Sequence, residues 1–209
     1  MSYRLIFFDV DSTLVTIEGI DVLANGAPEV AALTDAAMNG RIPLDQVYAR
    51  RLDIIRPTED DVEKLAAKYA DSIVDGVKET IAALRNVGAL VHLITGGIEQ
   101  AVLPLAESLG VSERNVHAVR LRFSANGAYE DFDRRSFLAR PGGKELVVRD
   151  IRARSHGKAA FVGDGVSDLE AKDAVDLFIG FGGVVVRPLV KENAHIFVTS
   201  FRDILGHLS

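Results

Sequence analysis

The stretch LIFFDVDSTL, residues 5–14, places four apolar residues directly before the aspartate pair Asp9 and Asp11. A short continuous apolar run is typical of a strand buried on both faces, as the strands of parallel sheets are. Carboxylates at its end lie at the carboxyl edge of the sheet, where open α/β sheets bind ligands. The stretch therefore predicts a buried strand that leads into a site built on acidic side chains.

The composition indicates a globular chain without a basic surface for nucleic acid. Its 209 residues are 48% hydrophobic and 26% charged, which is enough to form a substantial core. The formal net charge of −6 favours neither nucleic acid nor an anionic membrane as a partner. Because the chain has no cysteine, disulfides, thiolate zinc sites and cysteine nucleophiles are excluded. No segment resembles a signal peptide or a membrane span, so we expect a cytoplasmic protein.

The rest of the chain alternates helical periodicity with five further apolar runs of strand length: ALVHLIT, VHAVRL, AAFVG, LFIG and HIFVT. This alternation predicts an α/β fold with a largely parallel sheet covered by helices on both faces. Residues 15–75 show helical periodicity alone, which predicts a helical insertion after the first strand. FSANGAYE, residues 123–130, is typical of a hairpin, which we expect on the opposite side of the fold.

Further polar residues lie where strands are predicted to end or helices to begin. LITGG, residues 93–97, ends the second strand in a threonine and two glycines, while Asp164 and Asp168 follow AAFVG. Lys144 lies at the start of the helix before that strand. Since the carboxyl ends of parallel strands meet at one edge, we expect these side chains to converge on a single site.

Each of these residue types suits one part of phosphoryl transfer, in which a protein mainly positions the reactants and neutralises charge. Asp9 can attack phosphorus, and Asp11, two residues along an extended chain and therefore on the same side, can donate a proton to the leaving oxygen. Asp9 and Asp164 can share Mg²⁺, which prefers oxygen ligands. Lys144 adds a second positive charge, while the Thr95 hydroxyl and the amides of a glycine turn can bind phosphoryl oxygens.

The motifs DVDST, TGG, a lysine and GDGVSD, in this order and with a helical block between the first two, resemble the haloacid dehalogenase superfamily, most closely its phosphoserine phosphatase branch. The resemblance implies a Rossmann-like, doubly wound core, residues 1–14 and 76–209, with a small helical cap, residues 15–75. It also implies Mg²⁺ as cofactor, held by Asp9, Asp164 and the backbone carbonyl of Asp11, with Asp168 in support. Thr95, Gly96 and Lys144 are then the phosphate-binding residues.

The resemblance further implies how the cap reads a substrate. Glu18 and Arg51 occupy the positions that bind the amino and carboxyl groups of phosphoserine, which suits a carboxylate and a planar guanidinium. Met38 and Leu44 form an apolar wall, and Ser167 contributes to the same pocket. Leu44 stands where phenylalanine is common and Ser167 where asparagine or threonine is usual, while Thr95 keeps the hydroxyl of the more frequent serine.

The predicted activity is Mg²⁺-dependent hydrolysis of O-phosphoserine through an aspartyl-phosphate, with a small phosphate monoester, O-phospho-L-serine, as the partner and a homodimer left open. One alternative is a related phosphatase or phosphotransferase for another small monoester. A dehalogenase, which does not need Asp11, and a ligand-binding module that has lost the reaction are the others. Arg50 competes with Arg51, and both Glu18 and Arg51 can be read as ordinary solvated charges.

Overall fold

The structure is a computed structural model that describes residues 3–38, 41–42 and 44–208 of the chain. The side chains of Met38, Leu44 and Asp45 lie outside the described residues. No helix in the described part of the chain combines the length and hydrophobicity that a membrane span requires.

A six-stranded parallel sheet forms the centre of the molecule. The described residues contain eight strands in all: β1 (Leu5–Phe8), β2 (Leu90–Ile98), β3 (Val116–Val119), β4 (Leu121–Phe123), β5 (Tyr129–Phe132), β6 (Ala159–Gly163), β7 (Leu177–Phe181) and β8 (Ile196–Val198). The sheet order is β3-β2-β1-β6-β7-β8, with parallel pairing throughout, while β4 and β5 form a separate antiparallel hairpin. The predicted doubly wound α/β fold is therefore confirmed.

Ten α-helices complete the described fold. They are α1 (Gly19–Leu23), α2 (Pro28–Met38), α3 (Leu44–Ile55), α4 (Glu59–Asp71), α5 (Val77–Asn86), α6 (Glu99–Ser108), α7 (Gly143–Ala153), α8 (Val166–Leu169), α9 (Pro188–Asn193) and α10 (Ile204–Leu208). The first four follow β1 without an intervening strand in the described residues, and an isolated bridge between Val15 and Ile73 joins the two ends of this helical block.

The central strand β1 fixes the position of the site. All four of its residues are fully buried, and the Phe7 ring stacks on Phe161 of β6, which in turn stacks on Phe178 of β7. The chain runs from β1 outward to β2 and β3, then returns to β6 on the other side of β1. This reversal opens a crevice at the carboxyl ends of β1 and β6, where doubly wound sheets bind ligands.

The β4–β5 hairpin was predicted correctly, but its position was not. Its Asn126-Gly127 turn has Gly127 at φ +77°, which glycine adopts without strain. The Gly127 carbonyl accepts a hydrogen bond of 2.9 Å from the amide of Glu59, and the Tyr129 carbonyl accepts one of 3.2 Å from Arg56. The hairpin therefore contacts the helical block, and the expected position on the opposite side is wrong.

Candidate active site

Asp9 lies directly after β1, at the crevice. Its amide donates a 3.0 Å hydrogen bond to the Val162 carbonyl, which continues the pairing of β1 with β6, and its side chain is buried. The chain then turns, with the Leu14 amide donating to the Val10 carbonyl at 2.8 Å. Asp11 belongs to this turn, so the expectation that both carboxylates lie on one extended segment is wrong; the turn brings Asp11 to the same cavity as Asp9.

Lys144 lies between two carboxylates at the start of α7. Its Nζ atom is 2.6 Å from Asp9 Oδ1 and 2.5 Å from Asp168 Oδ1, and all three side chains are buried. Burial alone would lower the pKa of Lys144, but the two carboxylates outweigh it and raise this pKa, so the side chain is a fixed ammonium. At the preceding position a Cβ would collide with the Phe137 carbonyl, so Gly143 allows α7 to begin this close to the site.

Asp9, Asp164 and Asp168 form a buried acidic cluster. Each offers a carboxylate oxygen, and these oxygens all lie within 4.8 Å of one another. Asp164 accepts hydrogen bonds from the Thr13 hydroxyl at 3.0 Å and from Arg187 Nε at 2.9 Å. Burial, together with the charge of Asp9, nevertheless raises the pKa of Asp164 to about 6. An all-oxygen cluster with surplus negative charge fits a hard divalent cation.

Asp11 is held by two donors on one oxygen. The amide of Gly19 donates to Asp11 Oδ1 at 2.8 Å, and the Tyr69 hydroxyl donates to the same atom at 2.7 Å. Burial and the nearby charge of Asp9 outweigh these bonds and raise the pKa of Asp11 to about 6. A carboxyl group with such a pKa can exchange a proton near neutral pH.

The TGG segment lies within β2 rather than in a turn after it. The strand continues to Ile98, and its pairing with β3 shifts register between Ile94 and Ile98, so the predicted glycine turn is wrong. The Thr95 hydroxyl accepts a 2.9 Å hydrogen bond from the Gly97 amide and lies 3.5 Å from Asp11 Oδ2. The irregular register thus turns polar groups of the strand towards Asp11.

Glu18 lies just before α1 and is mostly buried. Its Oε1 atom accepts a 2.6 Å hydrogen bond from the Ser12 hydroxyl and lies 3.6 Å from Arg187 Nη2. Burial, followed by the charges of Asp11 and Asp164, raises its pKa well above the usual range. The reading of Glu18 as a solvated surface charge is therefore wrong, and its carboxylate is one that a cation would stabilise.

Arg51 extends from α3 into the same cavity and is 2% exposed. Its Nη1 atom donates to the Thr34 hydroxyl at 3.1 Å, and its guanidinium lies 5.6 Å from the centre of the Tyr48 ring. Among the described residues, the Arg51 Nε atom has no hydrogen-bond partner, and its guanidinium forms no salt bridge. By contrast, Arg50 is exposed and paired with Glu29 at 2.6 Å. The alternative that Arg50 takes the place of Arg51 in the pocket is therefore wrong.

One cavity of about 260 Å³ gathers most of the residues that the sequence singles out. Asp164 and Asp168 lie behind its wall, where they contact Thr13, Arg187 and Lys144. The apolar wall of Met38 and Leu44 lies outside the described side chains, although their backbones belong to α2 and α3. The predicted residues that line the cavity are Asp9, Asp11, Glu18, Arg51, Thr95, Gly96, Lys144 and Ser167.

Comparison with known families agrees with this geometry. The family model described as haloacid dehalogenase-like hydrolase matches residues 3–175. The chain belongs to the haloacid dehalogenase-like hydrolases. The match spans every strand from β1 to β6 and therefore all of the strand-end aspartates described above.

Relatives of this haloacid dehalogenase-like hydrolase include named phosphoserine phosphatases. That of Mus musculus is 40% identical over 96% of this chain and 91% of its own length. Two solved phosphoserine phosphatase structures are similar to this chain over its whole length and over the whole of their own. One, a phospho-aspartyl intermediate analogue, is 29% identical with a TM-score of 0.87, and the other, a substrate-bound complex, is 28% identical with a TM-score of 0.88.

The sequence analysis did not predict three polar contacts of this hydrolase, made by Tyr69, Arg187 and Thr13. Tyr69 follows the apolar spacing of α4 with Val62 and Leu65, so its residue type and position indicate only core packing. Arg187 follows a valine run and carries no motif of its own, although it is buried against Asp164. Thr13 lies inside the DVDST motif, and that motif was the available signal for its contact with Asp164.

Proposed function

We propose that this chain is a phosphoserine phosphatase that hydrolyses O-phosphoserine to serine and inorganic phosphate. The observation that carries the proposal is a single cavity lined by Asp9 and Lys144 together with the buried carboxylate of Glu18 and the incompletely bonded guanidinium of Arg51. These groups complement a phosphate, an ammonium and a carboxylate. The named phosphatases among its relatives support the same substrate.

Asp9 is the nucleophile in this mechanism. One of its carboxylate oxygens forms a bond to phosphorus while the bond from phosphorus to the serine oxygen breaks, which leaves an aspartyl-phosphate. Lys144, whose Nζ lies 2.6 Å from Asp9, offsets the repulsion between the Asp9 carboxylate and the phosphate dianion. Thr95 and the amide of Gly96 bind the phosphoryl oxygens.

Asp11 handles the proton. In the first step its carboxyl group gives a proton to the departing serine oxygen and becomes a carboxylate. In the second step it removes a proton from the water that attacks phosphorus, and the Asp9–phosphate bond breaks to release phosphate and restore Asp9. The raised pKa of Asp11, about 6 through burial and the charge of Asp9, suits both directions of transfer.

Mg²⁺ is the cofactor that fits the acidic cluster. Asp9 and Asp164 would provide its carboxylate ligands, and Asp168 would support the site through its contact with Lys144. The backbone carbonyl of Asp11 would be a further ligand. When bound, the ion supplies positive charge to the phosphoryl oxygens. Thr13 and Arg187 orient Asp164 by their hydrogen bonds.

The helical block, residues 15–75, acts as the cap that selects the substrate. Glu18 binds the ammonium and Arg51 grips the carboxylate of O-phospho-L-serine, while Ser167 approaches the same cavity from the core. Met38 and Leu44 supply the apolar wall that excludes water. A cytoplasmic location stays a prediction from the sequence, which left a homodimer open.

The test is phosphate release from a panel of monoesters: O-phospho-L-serine, O-phospho-L-threonine, a sugar phosphate and p-nitrophenyl phosphate, each with Mg²⁺ and with chelator. We expect metal-dependent turnover with kcat/KM for O-phospho-L-serine at least about tenfold above the others, a margin of about 1.4 kcal/mol. Asp9→Asn, which keeps the shape of the side chain, should abolish turnover. Efficient turnover that survives chelation, or a variant that remains active, would contradict the mechanism.

The nearest alternative is a phosphatase or phosphotransferase for another small monoester. It shares every core residue and differs only in the cap and in the acceptor. If phosphoserine is among the poor substrates of the panel, the core mechanism stands and the assignments of Glu18 and Arg51 fail. Product analysis with added alcohols would reveal transfer to an acceptor other than water.

A further inference from the structure

The Tyr69 hydroxyl has no role in the mechanism so far, although it contacts the proton-handling carboxyl group directly. Tyr69 is fully buried on α4, and its hydroxyl donates to Asp11 Oδ1 at 2.7 Å. An ionised carboxylate can only accept, so the phenol O–H is the donor in this contact. It comes from the helical block, whereas Asp11 follows the central strand of the sheet.

The two oxygens of Asp11 have different surroundings. Oδ1 accepts hydrogen bonds from both Tyr69 and the Gly19 amide, so a proton on that oxygen would face two donors. Oδ2 lies beside the TGG segment, 3.5 Å from the Thr95 hydroxyl. The Gly19 amide on Oδ1 can only donate, whereas the Thr95 hydroxyl beside Oδ2 can accept as well as donate, so Oδ2 is the better placed of the two oxygens to carry the proton when Asp11 is neutral.

Two glycines make room for this arrangement. A Cβ at Gly19 would collide with the Tyr69 hydroxyl, and a Cβ at Gly97 would lie 2.9 Å from Asp11 Oδ2. Each glycine thus permits a close approach to one side of the Asp11 carboxyl group. The carboxyl plane is fixed on one side by Tyr69 and Gly19 and is left accessible on the other.

We propose that Tyr69 is a positioning residue, which turns the Asp11 carboxyl group so that Oδ2 delivers its proton to the leaving oxygen of the substrate. The inference rests on the proposed function, because it assigns Asp11 as the acid. In the step concerned, Asp9 forms a bond to phosphorus while the bond from phosphorus to the ester oxygen breaks, and that oxygen takes the proton from Asp11 Oδ2. Asp11 is left as a carboxylate whose Oδ1 still accepts the hydrogen bond from Tyr69.

The leaving group distinguishes this role from a structural one. An alkoxide such as that of serine needs a proton as it departs, whereas p-nitrophenolate is stable without one. The kcat/KM value reports the steps up to departure of the leaving group, so it separates this proton transfer from the later hydrolysis of the aspartyl-phosphate. A defect in packing would lower kcat/KM for both esters alike.

The experiment compares Tyr69→Phe with the wild type on O-phospho-L-serine and on p-nitrophenyl phosphate. Tyr129→Phe is the matched control, because Tyr129 is also buried and its hydroxyl has no partner among the described residues. We expect Tyr69→Phe to lower kcat/KM at least about tenfold for phosphoserine and less than about threefold for the aryl ester, since general acid catalysis is worth about 10²–10⁴-fold. The control should keep the wild-type ratio of the two values.

Equal losses on both esters, or no loss on either, would overturn the role of Tyr69 while leaving the proposed function intact. A wild-type protein that hydrolyses neither ester would overturn the proposed function and the role of Tyr69 together. If Tyr69→Phe fails to fold, Gly19→Ala serves instead, because its methyl group displaces the hydroxyl and should give the same dependence on the leaving group.

Discussion

Lys144 Nζ lies 2.6 Å from Asp9 Oδ1, although the two residues are 135 positions apart in the chain. The pair joins the first turn of α7 to the end of β1, and both side chains are buried. A second buried carboxylate, Asp168, shares the same ammonium at 2.5 Å. One buried ammonium therefore pairs with two buried carboxyl groups, which gives Lys144 a role in stability beside the phosphate binding proposed for it.

Replacing Lys144 by methionine should destabilise the protein by about 3–5 kcal/mol, because it leaves two buried carboxylates without their cation. Urea unfolding with chelator present would measure this. Lys64→Met is the matched control, since Lys64 forms an exposed pair with Asp60, and its unfolding midpoint should stay at the wild-type value. A Lys144→Met midpoint equal to that of the control would show that the buried pair contributes nothing to stability.

Replacing Arg51 by alanine should lower kcat/KM for O-phospho-L-serine by roughly 10- to 100-fold, the range expected for losing hydrogen bonds to a charged group. O-phosphoethanolamine has the same phosphate and ammonium but no carboxylate, so its value should barely change. Arg50→Ala, on the exposed neighbour paired with Glu29, is the control and should leave both substrates unaffected. Equal losses on the two substrates would mean that Arg51 does not bind the carboxylate.

Mg²⁺ should stabilise the wild type, because the site proposed for it, the acidic cluster, is assembled in the folded protein and not in the unfolded chain. At a concentration 100 times its Kd, the expected gain is about 2.7 kcal/mol. Thermal unfolding with Mg²⁺ and with chelator measures the gain without any assay of activity. Asp164→Asn should remove most of it, whereas Asp150→Asn, on an exposed aspartate paired with Arg154, should retain it. A full Mg²⁺ effect in Asp164→Asn would place the ion elsewhere.

His92 should make stability depend on pH. Burial, with a smaller effect of His117, lowers its pKa to about 4 from the ordinary value of 6.5. Between these two values the unfolded chain binds a proton on this histidine that the folded protein excludes, so the contribution of His92 to the unfolding free energy falls as pH falls from 6.5 to 4. At 1.36 kcal/mol per pKa unit, the loss approaches about 3 kcal/mol. The raised pKa values of Asp11 and Asp164 contribute with the opposite sign.

Urea unfolding at several pH values would test this dependence. Relative to the wild type, His92→Gln should gain unfolding free energy as pH falls from 6.5 to 4, whereas His156→Gln, at an exposed position, should keep the wild-type pH dependence. A pH dependence in His92→Gln equal to that of the wild type would assign the effect to other groups.

The sequence predicted the sheet and the core of the site because both depend on local patterns. The apolar runs LIFF and AAFVG are short enough for strands and continuous enough for burial on both faces. In a parallel sheet their carboxyl ends must meet, so Asp9 and Asp164 could be brought together from their positions alone. Lys144 at a helix start completed the set.

The corrections concern how segments pack after they have formed. The periodicity that predicts the hairpin and the helical block contains no information on whether the two touch. The hydrogen bond from the Glu59 amide to the Gly127 carbonyl shows that they do. The register shift in β2 likewise depends on its pairing with β3, which the run of glycines cannot specify.

By itself, the sequence determined the α/β fold, the strand-end carboxylates and the family to which the chain belongs, since these follow from the order and spacing of residues. Only the tertiary structure decided which of two adjacent arginines is buried, because the rotation of α3 against its neighbours places Arg51 inward and Arg50, about 100° away on the helix, in solvent. It alone also brought Tyr69 to Asp11 across 58 positions, because the contact exists only once α4 packs against α6 and α1.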